Sequence, residues 1–213
     1  MDHLEKIAES VRMGHVSEIK GLIQEALDHG VNVRRVLEGG LFAGMEVIGK
    51  LFKEEEIYVP EVLMAAKTMQ AGMQVLEPLL LVAGERKSLG KIVLGTVKGD
   101  VHNLGKYLVG VMLKGVGFEV VDIGENITAE KFVATAKAEG ARIIGMSGLL
   151  TTTIPYMKTV IEALEEAGLK RKIKTLIGGA CVTQRFADEI GADGFGENAS
   201  LAVEKAKGLL GIK

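Results

Sequence analysis

Cysteine, tryptophan and proline are scarce in this chain of 213 residues, which holds one Cys, no Trp and three Pro. A lone Cys181 excludes an internal disulfide and any structural metal built on several thiolates; it reads as a small apolar filler. Charge of one sign is also missing. Lys and Arg number 26 against 28 Asp and Glu, a formal net charge of −2, so neither nucleic acid nor an anionic membrane surface is expected as a partner. Long apolar runs are absent too: residues 75–83 are interrupted by Glu77 and Pro78, well short of a membrane span. The opening "MDHLEKIAES" is acidic and amphipathic, unlike a secretory signal, which makes the cytoplasm the expected compartment. What the chain has in abundance is glycine, 28 residues, pointing to tight turns and close backbone approach rather than aromatic packing.

Two hydrophobic periods divide the sequence. From Leu4 to about Ala83 apolar residues recur at helical spacing, with Val16, Ile19, Ile23, Ala26 and Leu27 on one stripe and Val36, Phe42, Met45, Ile48, Leu51 and Phe52 continuing it. Ser17 is placed to cap the second helix, Gly30 to end it, and Pro60 to open a helix reaching about Leu81. Four helices with short connections predict a small antiparallel bundle. Beyond "AGERKSLG" the period changes. Short β-branched runs at 92–97, 119–123, 143–146 and 174–177, with a weaker one at 192–195, alternate with helical patterns at 104–114, 129–139, 154–167, 184–190 and 199–210. This alternation predicts an α/β domain with a five-stranded parallel sheet covered on both faces. The expected boundary lies between Gly84 and Gly90, giving a helical bundle over 1–86 and an α/β domain over 87–213.

In open sheets of this kind ligands bind beyond the carboxyl ends of the strands. Three loops there carry polar or bare residues: "GDVHNLG" (99–105), "GMSGLLTTT" (145–153) and "IGGACVT" (177–183). Hydroxyls beside unshielded backbone suit a bulky polar ligand. Each also has an ordinary reading: Asp100 as a turn residue, Asn103 as a helix cap, Ser147 as a satisfied hydroxyl, Gly178–Gly179 as a strand-end turn. His3, His15 and His29 read as surface residues. Nucleotide motifs are excluded by spacing, because there is no G-x-x-x-x-G-K-[ST] and "GTVKGD" lacks the third glycine of a dinucleotide turn. "GMSGL" departs from a nucleophile elbow at Leu149, and the histidine precedes the serine, which disfavours a hydrolase.

Together the loops resemble the cobalamin-binding domain shared by methionine synthase and the corrinoid proteins of methyltransferase systems. That family's D-x-H-x-x-G, S-x-L and G-G are matched by Asp100-Val101-His102-Asn103-Leu104-Gly105, Ser147-Gly148-Leu149 and Gly178-Gly179, with matching intervals over 106–146 and 150–177. "GMEVIGKLFKEEEIYVPEVLMAAKTM" (44–69) is similar to the helical cap that precedes this domain in methyl-carrying members.

The resemblance implies a flavodoxin/Rossmann-like sheet domain behind a four-helix cap, and a cobalamin or related corrinoid held base-off/His-on, cycling through methylcobalamin and Co(I) states. His102 is implied as the lower axial cobalt ligand, with Asp100 accepting its other ring N–H and Thr153 standing where the family relay has serine. Val101, Asn103, Leu104, Gly105, Ser147, Leu149, Thr151, Gly178 and Gly179 are implied to line the cofactor. Phe52, Val59 and Val62 fall at the positions that cover its upper face. The implied function is a methyl carrier. It accepts the group on Co(I) from a substrate-specific methyltransferase and donates it as methyl-Co(III) to a second methyltransferase acting on tetrahydrofolate or a thiol, with a reductive activator as a further partner. Such a subunit is not catalytic on its own, and its 84–90 linker is expected to flex. The alternative is a corrinoid-dependent sensor, disfavoured because no basic recognition helix is present; a flavodoxin-like module for FMN or phosphate would leave His102 without a role.

Overall fold

The computed structural model describes residues 2–83 and 88–212. Of the expected 84–90 connection, residues 84–87 lie outside the described residues. The chain falls into two compact units, Met1–Ser88 with Gly115–Gly117, and Leu89–Lys114 with Phe118–Lys213.

The first unit is helical: α1 (His3–Met13), α2 (Ile19–Asp28), α3 (Val33–Val36), a π-helical turn (Leu37–Phe42), α4 (Ala43–Lys53) and α5 (Val59–Val82). The π turn joins α3 to α4 without a break, so the third expected helix is one rod with an irregular middle. Glycines bring α1 against that rod: a Cβ on Gly40 would lie 2.7 Å from Ile7 Cγ2, and one on Gly44 would lie 2.7 Å from the Ala8 carbonyl oxygen. Of the expected stripes, Ile19, Ile23, Ala26, Val36, Met45 and Ile48 are buried, while Val16, Leu27, Phe42, Leu51 and Phe52 are partly exposed; Ile7, Val11 and Leu41 join the core. Gly30 ends α2 at φ 80°, with its N–H and that of Val31 donating to Leu27 and Ala26 carbonyls, the double bond of a Schellman stop. Ser17 does not cap α2. It lies in a turn, and Glu18 occupies the cap position with helical dihedrals and no side-chain bond.

The second unit holds β1 (Lys91–Thr96), α6 (Leu104–Gly115), β2 (Glu119–Asp122), α7 (Ala129–Ala138), β3 (Ile143–Ser147), α8 (Tyr156–Glu166), β4 (Lys174–Gly178), α9 (Gln184–Ile190), β5 (Gly194–Gly196) and α10 (Ala199–Leu209). All strand pairs are parallel, in the order β2-β1-β3-β4-β5, the flavodoxin-like arrangement whose crevice opens between β1 and β3. Alternate side chains of β1 and β3 feed the two faces. Val93 and Ile144 join Phe132, Met157 and Ile177 in a cluster beneath α7 and α8, and all five are essentially inaccessible to solvent. Burying a side chain the size of Phe132 contributes roughly 1.5–3 kcal/mol. Thr128, Thr183 and Asn198 cap α7, α9 and α10 through their side-chain oxygens, which fixes where those crossovers begin.

Register places the functional loops level with one another. Thr96 pairs with Ser147, Ser147 with Gly178, and Gly178 with Gly196, so β1, β3, β4 and β5 end on one line. Cys181, expected as a filler, is exposed, because it lies in the turn beyond β4 rather than under a helix.

Candidate cofactor site

The site grows from the loop that follows β1. Gly99 turns the chain at φ 85°, the left-handed region that glycine adopts without strain, and points Asp100 inward. Asp100 is completely buried and collects hydrogen bonds on both oxygens. Its Oδ1 accepts the His102 backbone N–H (3.0 Å) and lies 2.7 Å from His102 Nδ1. Its Oδ2 accepts the backbone N–H groups of Leu149 (2.7 Å) and Leu150 (3.2 Å) and the Thr153 hydroxyl (2.8 Å). Burial by itself pushes such a carboxyl up. The donors from His102, Leu149 and Thr153 outweigh that cost and hold Asp100 well below the usual carboxylate range. An ionised carboxylate at Nδ1 requires that nitrogen to carry its proton, which leaves the lone pair on Nε2.

The His102 ring is 49% exposed, and Nε2 has no partner among the described residues. It is therefore a fixed, reachable imidazole donor. No group of three or more His, Cys, Asp or Glu gathers among the described residues, so a metal at Nε2 has to arrive with most of its coordination already filled. A metal held in a macrocycle meets that condition. The surroundings fit one. A Cβ on Gly105 would meet nothing within 4 Å, leaving open space along the start of α6, and the half-buried Ser147 hydroxyl has no partner among the described residues. Val101 and Leu104, 68% and 64% exposed, offer apolar surface on either side of the ring.

The other expected residues divide. Thr153 joins the Asp100 cluster and also stands 3.0 Å from the Leu150 carbonyl. Leu149 enters through its backbone N–H. Asn103, directly before α6, accepts the Tyr107 N–H on its carbonyl and donates its side-chain amide to Glu125 Oε1 at 2.6 Å. Thr151 is exposed, with no polar partner among the described residues, and stands outside the cluster. Gly178 and Gly179 are required by the protein's own backbone before any ligand is considered. A Cβ on Gly179 (φ 140°) would sit 1.8 Å from the Gly148 carbonyl oxygen, and one on Gly178 2.9 Å from that of Gly196. In the helical unit Phe52 and Val59 keep partial exposure, whereas Val62 is fully buried as a core residue.

Two contributors carry no sequence signal. Thr96, buried at the end of β1, donates its hydroxyl to the His102 carbonyl at 3.1 Å. Leu150 adds a second backbone donor to Asp100. A strand-ending threonine and a loop leucine are common residues, and only the fold brings them to the carboxylate.

A buried carboxylate orienting an exposed imidazole at the switch point of a 2-1-3-4-5 sheet, above level glycine-bearing strand ends, suits a corrinoid-binding protein. Comparison with known proteins agrees. A family model described as a B12 binding domain matches residues 90–204, and a second one, likewise described as a B12 binding domain, matches residues 3–77. The chain is 43% identical over 213 residues to a corrinoid protein of Desulfitobacterium hafniense (strain Y51), covering 99% of each chain. It is 50% identical over 175 residues to dimethylamine corrinoid protein 1 of Methanosarcina mazei, covering 82% of this chain and 81% of that one. Among solved structures it is similar to the methanol:cobalamin methyltransferase complex of Methanosarcina barkeri (TM-score 0.89, 29% identity, 99% of this chain and 80% of that chain). It is also similar to a cobalamin-binding protein from Desulfitobacterium hafniense DCB-2 (TM-score 0.80, 28% identity, 97% and 98%). The chain belongs to the B12-binding corrinoid proteins. No helix among the described residues is long and apolar enough to cross a membrane.

Proposed function

We propose that this chain is the methyl-carrying corrinoid subunit of a methyltransferase system, serving a substrate-specific methyltransferase on one side and a methyl-accepting one on the other. The observation that carries the reading is the buried Asp100 carboxylate holding the half-exposed His102 ring by Nδ1, with Nε2 left free. When bound, the corrinoid supplies a cobalt able to take up and release a methyl group. The residues' task is to hold that cofactor base-off/His-on. Nε2 of His102 replaces the cofactor's own base, Asp100 fixes the tautomer, and Thr153 and the Leu149 and Leu150 amides keep Asp100 ionised. Gly105 leaves room beside α6 for the displaced nucleotide, and Ser147 offers it a hydroxyl. In the helical unit, Phe52 and Val59 keep partly exposed apolar surface of the kind that would exclude water from a reactive methyl, and Val62 is a core residue.

The relatives named for dimethylamine favour a methylated amine as the ultimate donor; the cytoplasm is the compartment proposed for the exchange. A thiol or tetrahydrofolate is the acceptor, and a reductive activator restores the cofactor after adventitious oxidation. Reconstitution with hydroxocobalamin tests the reading. The expected result is one cobalamin per chain and a His-ligated absorption spectrum that reverts to a water-ligated one in His102→Ala. A failure to take up cobalamin removes the reading, and an unchanged mutant spectrum removes His102 as ligand.

A further inference from the structure

The His102 loop has little apolar anchoring. Val101 and Leu104, which flank its tip, face solvent at 68% and 64% exposure, and the His102 ring has a single partner, Asp100. Beside the bonds that tie Asp100 to residues 149–153 and the His102 carbonyl to Thr96, the structure shows a second, polar clasp on this turn. The segment between β2 and α7, residues 122–127, runs beside residues 96–106. Thr96 N–H donates to the Gly124 carbonyl and Ile127 N–H to the Thr96 carbonyl, both at 3.0 Å. The Asn103 side chain donates to Glu125, and buried Lys106 pairs with Asp122.

At the centre of this clasp is Asn126. Its Oδ1 accepts the Gly99 N–H at 2.8 Å, and its own N–H donates to the Asp100 carbonyl at 3.0 Å. One residue thus grips the backbone of two consecutive residues in the turn that carries Asp100. It does so at φ 54°, a left-handed conformation that Asn and Asp adopt more readily than other side-chain-bearing residues. The backbone conformation aims the amide oxygen, and the amide oxygen satisfies the N–H of Gly99, itself turned left-handed at φ 85°.

We infer that Asn126 is a positioning residue for the corrinoid's lower ligand: it sets the seat of Asp100 through the Gly99–Asp100 backbone, and through Asp100 the direction of His102 Nε2. The inference rests on the reading of His102 as that ligand. It lies outside the D-x-H-x-x-G motif and requires only an acceptor at this position, not an amide. Asp can therefore replace Asn, whereas Gly keeps the backbone conformation and loses the acceptor.

The test uses the full chain as Asn126→Ala, Asn126→Gly and Asn126→Asp, with His102→Ala alongside. Three quantities are measured: hydroxocobalamin affinity, the absorption spectrum of the bound form, and the exchange rate of the Gly99 amide hydrogen without cobalamin. Loss of an orienting contact behind a metal ligand typically weakens binding 10–100-fold. Asn126→Ala and Asn126→Gly are expected to show roughly that loss, a larger share of water-ligated spectrum, and faster Gly99 exchange. Asn126→Asp is expected to restore all three. Wild-type affinity and spectrum in Asn126→Gly overturn the inference, as does an Asn126→Asp protein as impaired as Asn126→Ala. A His102→Ala protein with an unchanged spectrum overturns the ligand reading and this inference with it. A changed His102→Ala spectrum beside an unaltered Asn126→Gly overturns this inference alone.

Discussion

Thr153 shows how much a single hydroxyl does at this site. The Oδ2 of Asp100 has three donors, two of them backbone amides that no side-chain change can remove, and the third is the Thr153 hydroxyl. Thr153→Val keeps shape and volume but leaves a buried carboxylate with one donor fewer, which costs roughly 1–3 kcal/mol. Urea denaturation is expected to show that loss, and Thr153→Ser is expected to recover most of it. The added methyl of threonine is accommodated because its Cγ2 rests against the Gly99 turn, where a Cβ would lie 3.3 Å away. Threonine in place of the serine of the resemblance therefore keeps the hydroxyl bond to Asp100, with its methyl lying where a side chain on Gly99 would have to go. Gly179 makes the complementary point. Its lack of a side chain is demanded by the Gly148 carbonyl, so its presence reports the approach of two protein loops as much as the approach of a ligand.

At the scale of elements, the strands and helices of the sheet domain were legible within a residue or two because short continuous β-branched runs, buried on both faces, alternate with helical patterns. The Asp100, His102 and Ser147 positions were legible for a related reason: strand ends on the crevice side are where such residues can converge. Asn126 and Thr96 were not, since their partners lie 27 and 6 residues away and nothing about an isolated Asn or Thr announces a bond to a backbone amide or carbonyl. Ser17 misled because a serine before an apolar stripe also fits a plain turn. The opposite end of the sheet carries its own polar junction. Asp193, before β5, accepts from Lys170 (2.5 Å) and from the N–H and hydroxyl of Thr175 on β4 (2.8 and 2.9 Å). Its burial raises the pKa, but Lys170 and Thr175 outweigh that and lower it. A carboxylate depressed on folding contributes stability that is present above its unfolded pKa of about 3.9 and is lost as the pH falls towards the folded value. Asp193→Asn is therefore expected to be less stable than wild type at neutral pH by roughly 1–3 kcal/mol. The gap should narrow in urea titrations repeated below about pH 4.

For the whole molecule, cofactor and fold are linked by mass action. A ligand that binds only the folded chain stabilises it by about 2.7 kcal/mol at a hundredfold excess over its Kd. Hydroxocobalamin is expected to raise the thermal midpoint accordingly, with a smaller rise at the same concentration in His102→Ala; equal shifts in the two proteins would detach the stabilisation from the histidine. The helical unit has a different dependence, set by the π turn at Leu37–Phe42. Such a turn amounts to one residue more than an α-helix needs over the same rise. Each residue of an α-helix advances the azimuth by about 100°. Removing one residue within Leu37–Phe42 therefore closes the turn to plain α-helix and leaves Met45 and Ile48 on the core side, whereas removing one within α4 would turn every later residue of that helix by about 100°. Among relatives of this chain, a one-residue gap at Leu37–Phe42 would signal a regular rod with the same core face, and a gap further along α4 a re-phased helix.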